Sequence, residues 1–459
     1  MRERILGLNR KTPLLDGSTI TYVNLDNGAS SPPVKDAVEA LNSFMPYYSS
    51  VHRGTGFKSR LSTKAFDEAR EIIAEFVKAD LTNNTVIFGK NASEAINKLA
   101  HSLPSGDGYT VITTRMEHHS NDLPWRDHFN VVYVDTLPDG RLDEDDFDRK
   151  LADNSNNLVL VAVTGAANVT GYLQPIHRLA RKVHKAGSLI LVDAAQLAPH
   201  REIDMKPDDD PEHLDFIVLA GHKMYAPYGT GALIGPKHAF MNCSPDYSGG
   251  GTVSVVTPDE VFWAGLPDKE EAGSPNVAGA VAMAASALAL MNFSMKKIEE
   301  HEVELTKYAL TRLKEVPGMI IYGESDPEKL DRVGVIPFNI EGVLHSLLAA
   351  VLGYEGGIGV RSGCFCAHPY VVSLLGLSEE ETESWRKEFL SGDKSKMPGM
   401  VRMSLGCYTN REDIDRLIKM LKIVAAGTYK GKYEVVKATG EFIPSGYSEP
   451  FDDYFKFRR

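Results

Sequence analysis

Cysteine is scarce in this sequence, with four residues at positions 243, 364, 366 and 407. They are too few and too irregularly spaced to form a disulfide framework. Basic charge is also in short supply: 50 Lys and Arg face 62 Asp and Glu, for a net charge of −12. That balance argues against nucleic acid or an anionic membrane as a general partner, and it favours solubility. No apolar run reaches the roughly 20 residues of a membrane span. The most apolar long stretch, 277–293, is rich in alanine and reads as a buried helix. The N-terminus, M-R-E-R-I-L-G-L-N-R, has no sustained apolar segment and does not read as a secretory signal. A cytoplasmic, reduced protein is therefore expected. There is no G-x-x-x-x-G-K-[ST], no internal repeat and no low-complexity tract, so P-loop enzymes and repeat architectures are set aside.

What remains is an ordinary globular composition, 43% hydrophobic and 24% charged over 459 residues, long enough for two or more domains. Short apolar runs at 85–88, 109–113, 131–135, 158–163, 188–193 and 215–220 alternate with helical patterns, among them 35–44, 62–78 and 176–186. Such alternation predicts an α/β fold with a mostly parallel sheet covered by helices on both faces. After Ser294 a charged helical stretch, 296–315, leads into M-I-I-Y-G and V-G-V-I-P-F-N-I, the pattern of a smaller α+β domain. The expected organisation is a large domain over 21–295, a small domain built from 1–20 and 296–426, and a tail at 427–459 without an assigned role.

The chemistry concentrates where these runs end. S-L-I-L-V-D-A-A-Q places Asp193 at a strand end with Gln196 three residues on, and D-F-I-V-L-A-G-H-K delivers His222 and Lys223. The carboxyl edge of an open α/β sheet is where ligands bind. An acid and a lysine there match the needs of pyridoxal phosphate, whose ring nitrogen is kept protonated by the acid while the lysine attaches the aldehyde. Taken singly, Asp193 also reads as a magnesium-binding acid and Lys223 as a solvated loop residue. G-K-N-A-S at 89–93 is a strand-to-helix turn in which Ser93 is expected to cap the helix, a weak phosphate signal. M-E-H-H-S-N puts His118 or His119 at the same edge, to stack on a ring or move protons. Paired histidines also suggest metal, but no third ligand sits at a usual spacing. In R-S-G-C-F-C-A-H-P at 361–369, Arg361 and His368 lie close in sequence to two thiols, which suits a cysteine nucleophile; half a zinc site is the other reading. Arg402, in V-R-M-S-L-G, is either a fork for a substrate carboxylate or a surface ion-pair residue. V-H-R-G at 51–54 reads equally as a surface loop.

Taken in order, L-D-N-G-A-S, V-H-R-G, E-H-H, A-N-V-T-G, V-D-A-A-Q, G-H-K-M-Y, E-A-G-S-P-N and R-S-G-C-F-C-A resemble the cysteine desulfurases and selenocysteine lyases. These are class V, fold-type I pyridoxal phosphate enzymes, and the short cysteine loop is similar to their second, SufS-like group. The resemblance covers about residues 22 to 421. It implies a large domain with a mostly parallel sheet and a smaller α+β domain. It also implies Lys223 as the cofactor lysine, Asp193 at the ring nitrogen, Gln196 near the phenolic oxygen and His118 stacked on the ring. Asn168 would lie near cofactor and substrate. Ala92, Ser93, His222 and the partner subunit's Ser274 would hold the phosphate, which makes the protein a homodimer with shared sites. Arg402 would hold the substrate carboxylate and Cys366 would carry sulfur as a persulfide. The implied reaction turns L-cysteine into L-alanine, without metal, and passes sulfur to an acceptor protein. Alternatives on the same scaffold are a selenocysteine lyase, a cystine-cleaving lyase or another class V transferase or epimerase. A non-catalytic sulfur carrier that uses only the C-F-C loop is a rival of another kind. Three departures stand out: Ala220 where the family has serine, the extra thiol of Cys364, and a long segment at 371–400 that reads as a lid or partner surface.

Overall fold

The computed structural model describes residues 1–329 and 331–457. Seven strands form the central sheet: β1 (Asn84–Gly89), β2 (Gly106–Thr114), β3 (Phe129–Val134), β4 (Leu158–Thr164), β5 (Leu189–Asp193), β6 (Phe216–Ala220) and β7 (Gly231–Pro236). Their order is β1-β7-β6-β5-β4-β2-β3, with β7 antiparallel to both neighbours and the other pairs parallel. Strands β4, β5 and β6 read as near-continuous apolar runs because they are covered on both faces. Ile190, Val192, Ile217 and Leu219 point to one core layer, Leu191, Phe216 and Val218 to the other. Each such side chain, fully removed from water, stabilises the fold by about 1.5–3 kcal/mol before entropy is counted.

Helices α1 (Lys35–Phe44), α2 (Phe57–Phe76), α3 (Ala92–Ser102) and α4 (Ile176–Lys185) flank the sheet, and α5 (Val277–Phe293) is buried against α1 and α2. Alanine fills seven of the 17 positions of α5, a small-residue surface for the contacts with α1 and α2. Among the described residues no single helix is long and apolar enough to cross a membrane; α5 passes only when joined to α6 (Met295–Leu313) across a 73° bend. Beyond α6 a second sheet holds β8 (Met319–Ile321), β9 (Val335–Ile340), β10 (Arg361–Gly363) and β11 (Met400–Ser404), ordered β8-β9-β11-β10 and wholly antiparallel. It packs with α6, α7 (His345–Gly356) and α10 (Arg411–Ala425) into its own apolar cluster. The N-terminal strand Val23–Asn24 pairs in parallel with Ile358–Gly359.

The long segment after the cysteine loop folds into α8 (His368–Leu374) and α9 (Glu379–Leu390), the latter opened by a Ser378–Glu381 capping box. The tail forms a hairpin, Tyr433–Val436 against Glu441–Pro444, and the Glu355 carboxylate accepts from the amides of Lys430 (2.9 Å) and Gly431 (2.8 Å) just before it.

Away from the sheet's carboxyl edge, His184 and His213 stack at 4.1 Å and share one carboxylate, with Nε2 atoms 2.9 and 3.1 Å from Asp215. Near-parallel rings do not aim their lone pairs at one point, so the trio is a bracket joining α4 to β6 rather than a preformed metal site. Hydrogen bonding to Asp215 raises both histidines above 6.5. Burial pushes the Asp215 carboxyl up, but the two imidazoles outweigh it and leave it lowered. A histidine whose folded pKa is raised stabilises below its unfolded pKa, and that stability is lost as pH rises through the folded pKa. Denaturant midpoints should therefore fall as pH rises above 6.5. His213→Gln should lose less over the same window, measured by urea titration at each pH; equal losses would remove this bracket as the cause.

Candidate active site

The carboxyl edge of the central sheet opens onto a cavity of about 360 Å3. Thr164 ends β4 and Asp193 ends β5, paired in register, while β6 ends at Ala220 just before His222 and Lys223. From the second sheet, Arg402 on β11 and the loop of Phe365 and Cys366 after β10 close the other wall. Every expected site residue except Ser274 lines this one cavity: Lys223, Asp193, Gln196, His222, His118, Asn168, Ala92, Ser93, Arg402 and Cys366. Ser274 of this same chain is exposed on the loop before α5.

Burial pushes the Lys223 amine down to about 8, against the pull of Asp193, so its basic form is available near neutrality. Asp193 is raised by burial and receives an amide hydrogen bond from Ala195 (3.0 Å). His118 is pushed down to about 3 by burial, with Lys223 adding to the effect, and is neutral. Its Nδ1 accepts from the Ser120 amide at 3.1 Å, which places the ring proton on Nε2. His222, driven down to about 4 by burial, is neutral as well. Gln196 is held by a chain of contacts: its Nε2 donates to His200 Nε2 (3.3 Å), whose Nδ1 is bonded to the buried Glu302. That leaves Gln196 Oε1 facing Lys223 Nζ at 3.5 Å.

The turn into α3 corrects one expectation. The cap is Asn91, whose Oδ1 accepts from the Glu94 amide at 2.9 Å; Ser93 lies inside the first turn, its hydroxyl 2.5 Å from that of Ser120. The Ala92 and Ser93 amides therefore belong to the first turn, where no intrahelical acceptor exists, and both residues line the cavity. Gly231 allows this: a Cβ there would lie 2.4 Å from the Asn91 carbonyl carbon.

Arg402 is buried, which lowers it to about 10 despite Asp26, and its fork is shared. Nη1 donates to the Asn168 carbonyl (2.8 Å), Nη2 reaches Asp26 (3.4 Å), and the guanidinium lies 4.9 Å over the Phe365 ring. Arg361, opposite Arg402 in register, pairs with the other Asp26 oxygen at 2.7 Å. Cys366 is exposed at the cavity, whereas Cys364 is buried, donates to the Pro398 carbonyl (3.3 Å), and is pushed up to about 11 by burial. Phe365 and Cys366 both adopt φ of 54°, a left-handed conformation that costs L residues about 1–2 kcal/mol each. The loop is held there from outside: Asn168 Nδ2 donates to the Phe365 carbonyl (2.7 Å) and the His119 amide to that of Cys366 (2.8 Å).

Two residues that contact the cavity's lining were not singled out from the sequence. Glu117 is fully buried and accepts from the Thr114 hydroxyl (2.7 Å), the Thr164 amide (3.0 Å) and Asn121 (2.7 Å). Three donors favour its anion, but burial outweighs them and raises it to about 8. It stood beside His118 in M-E-H-H, yet nothing in that tetrapeptide shows which side chain turns inward. Asp26 lay in L-D-N-G and carried no sign of its two arginines.

The donor set suits pyridoxal phosphate. A buried acid and an amine lie at adjacent strand ends, a neutral imidazole and a helix N-terminus line the same cavity, and Asn168 Oδ1 and Arg402 Nε are buried without partners among the described residues. The aminotransferase class-V family model matches residues 23–417. A probable cysteine desulfurase of Halalkalibacterium halodurans is 34% identical over 89% of this chain and 95% of its own length. A cysteine desulfurase of Haloferax volcanii is 33% identical over 91% and 92%. Among solved structures, the apo cysteine desulfurase of Thermococcus onnurineus superposes with a TM-score of 0.77 at 29% identity, covering 92% of this chain and 99% of that one. The S-sulfonic acid form of the Escherichia coli cysteine desulfurase CsdA gives a TM-score of 0.75 at 26% identity, over 94% and 98%. By this match and these relatives, this chain belongs to the aminotransferase class-V family of pyridoxal phosphate enzymes, in the cysteine desulfurase branch.

Proposed function

We propose that the protein is a cysteine desulfurase that converts L-cysteine to L-alanine and takes the sulfur onto Cys366 as a persulfide. The observation that carries this reading is the convergence of the Lys223 amine, the Arg402 fork and the exposed Cys366 thiol on one cavity. Lys223, Asp193, Gln196, His118, Asn168, His222, Ala92 and Ser93 would hold pyridoxal phosphate, with the partner subunit's Ser274 completing the phosphate contacts in a homodimer. When bound, the cofactor supplies an electron sink for the charge left on the substrate carbon.

The chain's own residues do the rest. Arg402, still a cation at about 10, receives the substrate carboxylate; its partner Asp26 is weakly engaged at 3.4 Å and leaves donor capacity free. The Lys223 amine takes the α-proton, and its pKa near 8 suits a base working close to neutral pH. His118, neutral and carrying its proton on Nε2 in the ring plane, presents an uncharged π face to the ring it would cover. The Cys366 thiolate attacks the substrate sulfur; the S–S bond forms as the carbon–sulfur bond breaks, so Cys366 is oxidised to the persulfide and the substrate is reduced to alanine. Ala220, in place of the family serine, removes one hydroxyl from the phosphate end, where Ser93 and Ser120 remain.

The test is to load the protein with pyridoxal phosphate and supply L-cysteine, L-selenocysteine and cystine separately. Alanine and the mass of one added sulfur on the Cys366 peptide are then measured. Alanine from selenocysteine alone, with no persulfide, would identify a selenocysteine lyase instead. Arg402→Lys should raise KM for L-cysteine by about 10–100-fold with a smaller change in kcat, because a point cation replaces a fork that binds ground and transition states alike. An unchanged KM would move the carboxylate site elsewhere.

A further inference from the structure

The Cys366 loop is braced by a column of rings that reaches into the extra segment of this chain. The His119 amide holds the Cys366 carbonyl at 2.8 Å. The His119 ring lies parallel to that of His368, with centroids 5.0 Å apart and planes 7° apart, and its Nε2 accepts from the His368 amide at 3.4 Å. On His368 stacks Trp385 of α9 at 6.0 Å, and Phe389 follows one turn later at 6.4 Å. None of the residues of α9 is buried, so the helix has no apolar core of its own to hold it down. The Trp385 indole N–H is nonetheless buried and meets no acceptor among the described residues, so the ring is placed by stacking and not by hydrogen bonding.

The far end of the segment returns to the same loop. The Met397 carbonyl accepts from His345 Nε2 (2.9 Å), whose Nδ1 contacts the Ser362 hydroxyl (2.8 Å). The Pro398 carbonyl accepts from Cys364 Sγ at 3.3 Å. The tail hairpin secures this return, with the Lys394 amide donating to the Lys437 carbonyl at 2.8 Å. Two consecutive left-handed residues, Phe365 and Cys366, persist only where surrounding contacts over-determine them. On the side of Cys366 those contacts run through His119, which is backed by His368, which is backed by Trp385.

The geometry points to Trp385 as a positioning residue for Cys366, acting through the stacked rings of His368 and His119 to hold the thiol in its left-handed loop at the cavity. This rests on the reading of Cys366 as the sulfur-accepting thiol. It assigns the segment at 371–400 a role in setting the geometry of sulfur transfer, with Trp385 outside the lining of the cavity that holds Lys223 and Arg402.

The experiment compares full-length, cofactor-loaded Trp385→Ala and Trp385→Phe with the parent. It reads the rate of iodoacetamide alkylation at Cys366, the first-turnover rate of persulfide formation, and KM for L-cysteine. Trp385→Ala should speed alkylation about fivefold as the loop relaxes and slow persulfide formation about tenfold, with KM within about twofold, since a thiol displaced by a fraction of an ångström loses alignment but not exposure. Trp385→Phe, which still stacks, should restore most of both rates. Parent-like alkylation and persulfide rates in Trp385→Ala would overturn the proposal, as would a joint loss of kcat, substrate affinity and melting temperature that phenylalanine does not rescue. If neither parent nor variant forms persulfide while alkylation shifts as stated, the positioning role stands and the desulfurase reading fails.

Discussion

Lys223→Ala should lose at least about 10³-fold in alanine formation from L-cysteine, with pyridoxal phosphate in excess and the fold intact. The amine lies 3.5 Å from Gln196 Oε1 in the cavity that Asp193 also lines, and burial has brought it down to about 8. The two histidines nearest it are neutral but far weaker bases, at about 3 and 4, and cannot replace it. Lys223→Arg is the sharper companion. Arginine keeps a cation at the site but does not give up its proton in proteins, so it should be as inactive as alanine. If the arginine variant kept more than about a tenth of parental activity, a basic amine at position 223 would not be required. Removing the side chain leaves Asp193 buried without its favourable neighbour. A modest change in melting temperature is therefore expected alongside the kinetic loss, and absorbance of the bound cofactor separates weaker binding from slower chemistry.

Cys366→Ala should abolish persulfide formation and reduce alanine production from L-cysteine by about 10²–10⁴-fold, the usual range for loss of a nucleophile or proton-transfer group. The contrast with Cys364 makes this informative. Both thiols sit in one C-F-C triplet, yet Cys364 is buried, raised to about 11 and engaged with Pro398, while Cys366 is exposed at the cavity. Cys364→Ala should therefore stay within a few-fold of the parent, its effect limited to the loss of one weak hydrogen bond that steadies the loop. Sulfide release from L-cysteine that survived in Cys366→Ala would mean the carbon–sulfur bond is broken without this thiol. Selenide release that survived alone would favour the lyase alternative.

The central sheet was legible because its strands are buried on both faces and announce themselves as apolar runs, with Asp193 and Lys223 marking where two of them surface. Arg402 was legible as a strand residue but not as a buried one. Its strand alternates in the sequence like any half-exposed strand, and it is Phe365 over the guanidinium, with Asn168 and Asp26 at its nitrogens, that removes it from water. Ser93 as a helix cap was the natural reading of N-A-S-E, and it lost to Asn91 because the helix begins two residues earlier, at Ala92, and Asn91 Oδ1 takes the Glu94 amide. Glu117 and Asp26 were unreadable for a common reason: their roles depend on partners from distant strands. The helices at 368–374 and 379–390 were equally silent, since no residue of α9 is fully buried and its polar sequence gives no hint of the ring column at Trp385.

The Asp26–Arg361 contact closes a loop of 335 residues, and the strand just before Asp26 pairs with the one just before Arg361. During synthesis at roughly 5–20 residues per second, Val23–Asn24 would wait about 20–70 s for its partner to leave the ribosome. In the later part of that interval, once Lys223 has been made, the lysine and acid at the edge of the large sheet can already be in place, while the guanidinium and thiol proposed to direct the reaction do not yet exist. A nascent chain would thus acquire the means to hold a reactive aldehyde before it acquires the means to choose a substrate, and a product ending short of Ile358 would remain in that condition with its first strand unpaired.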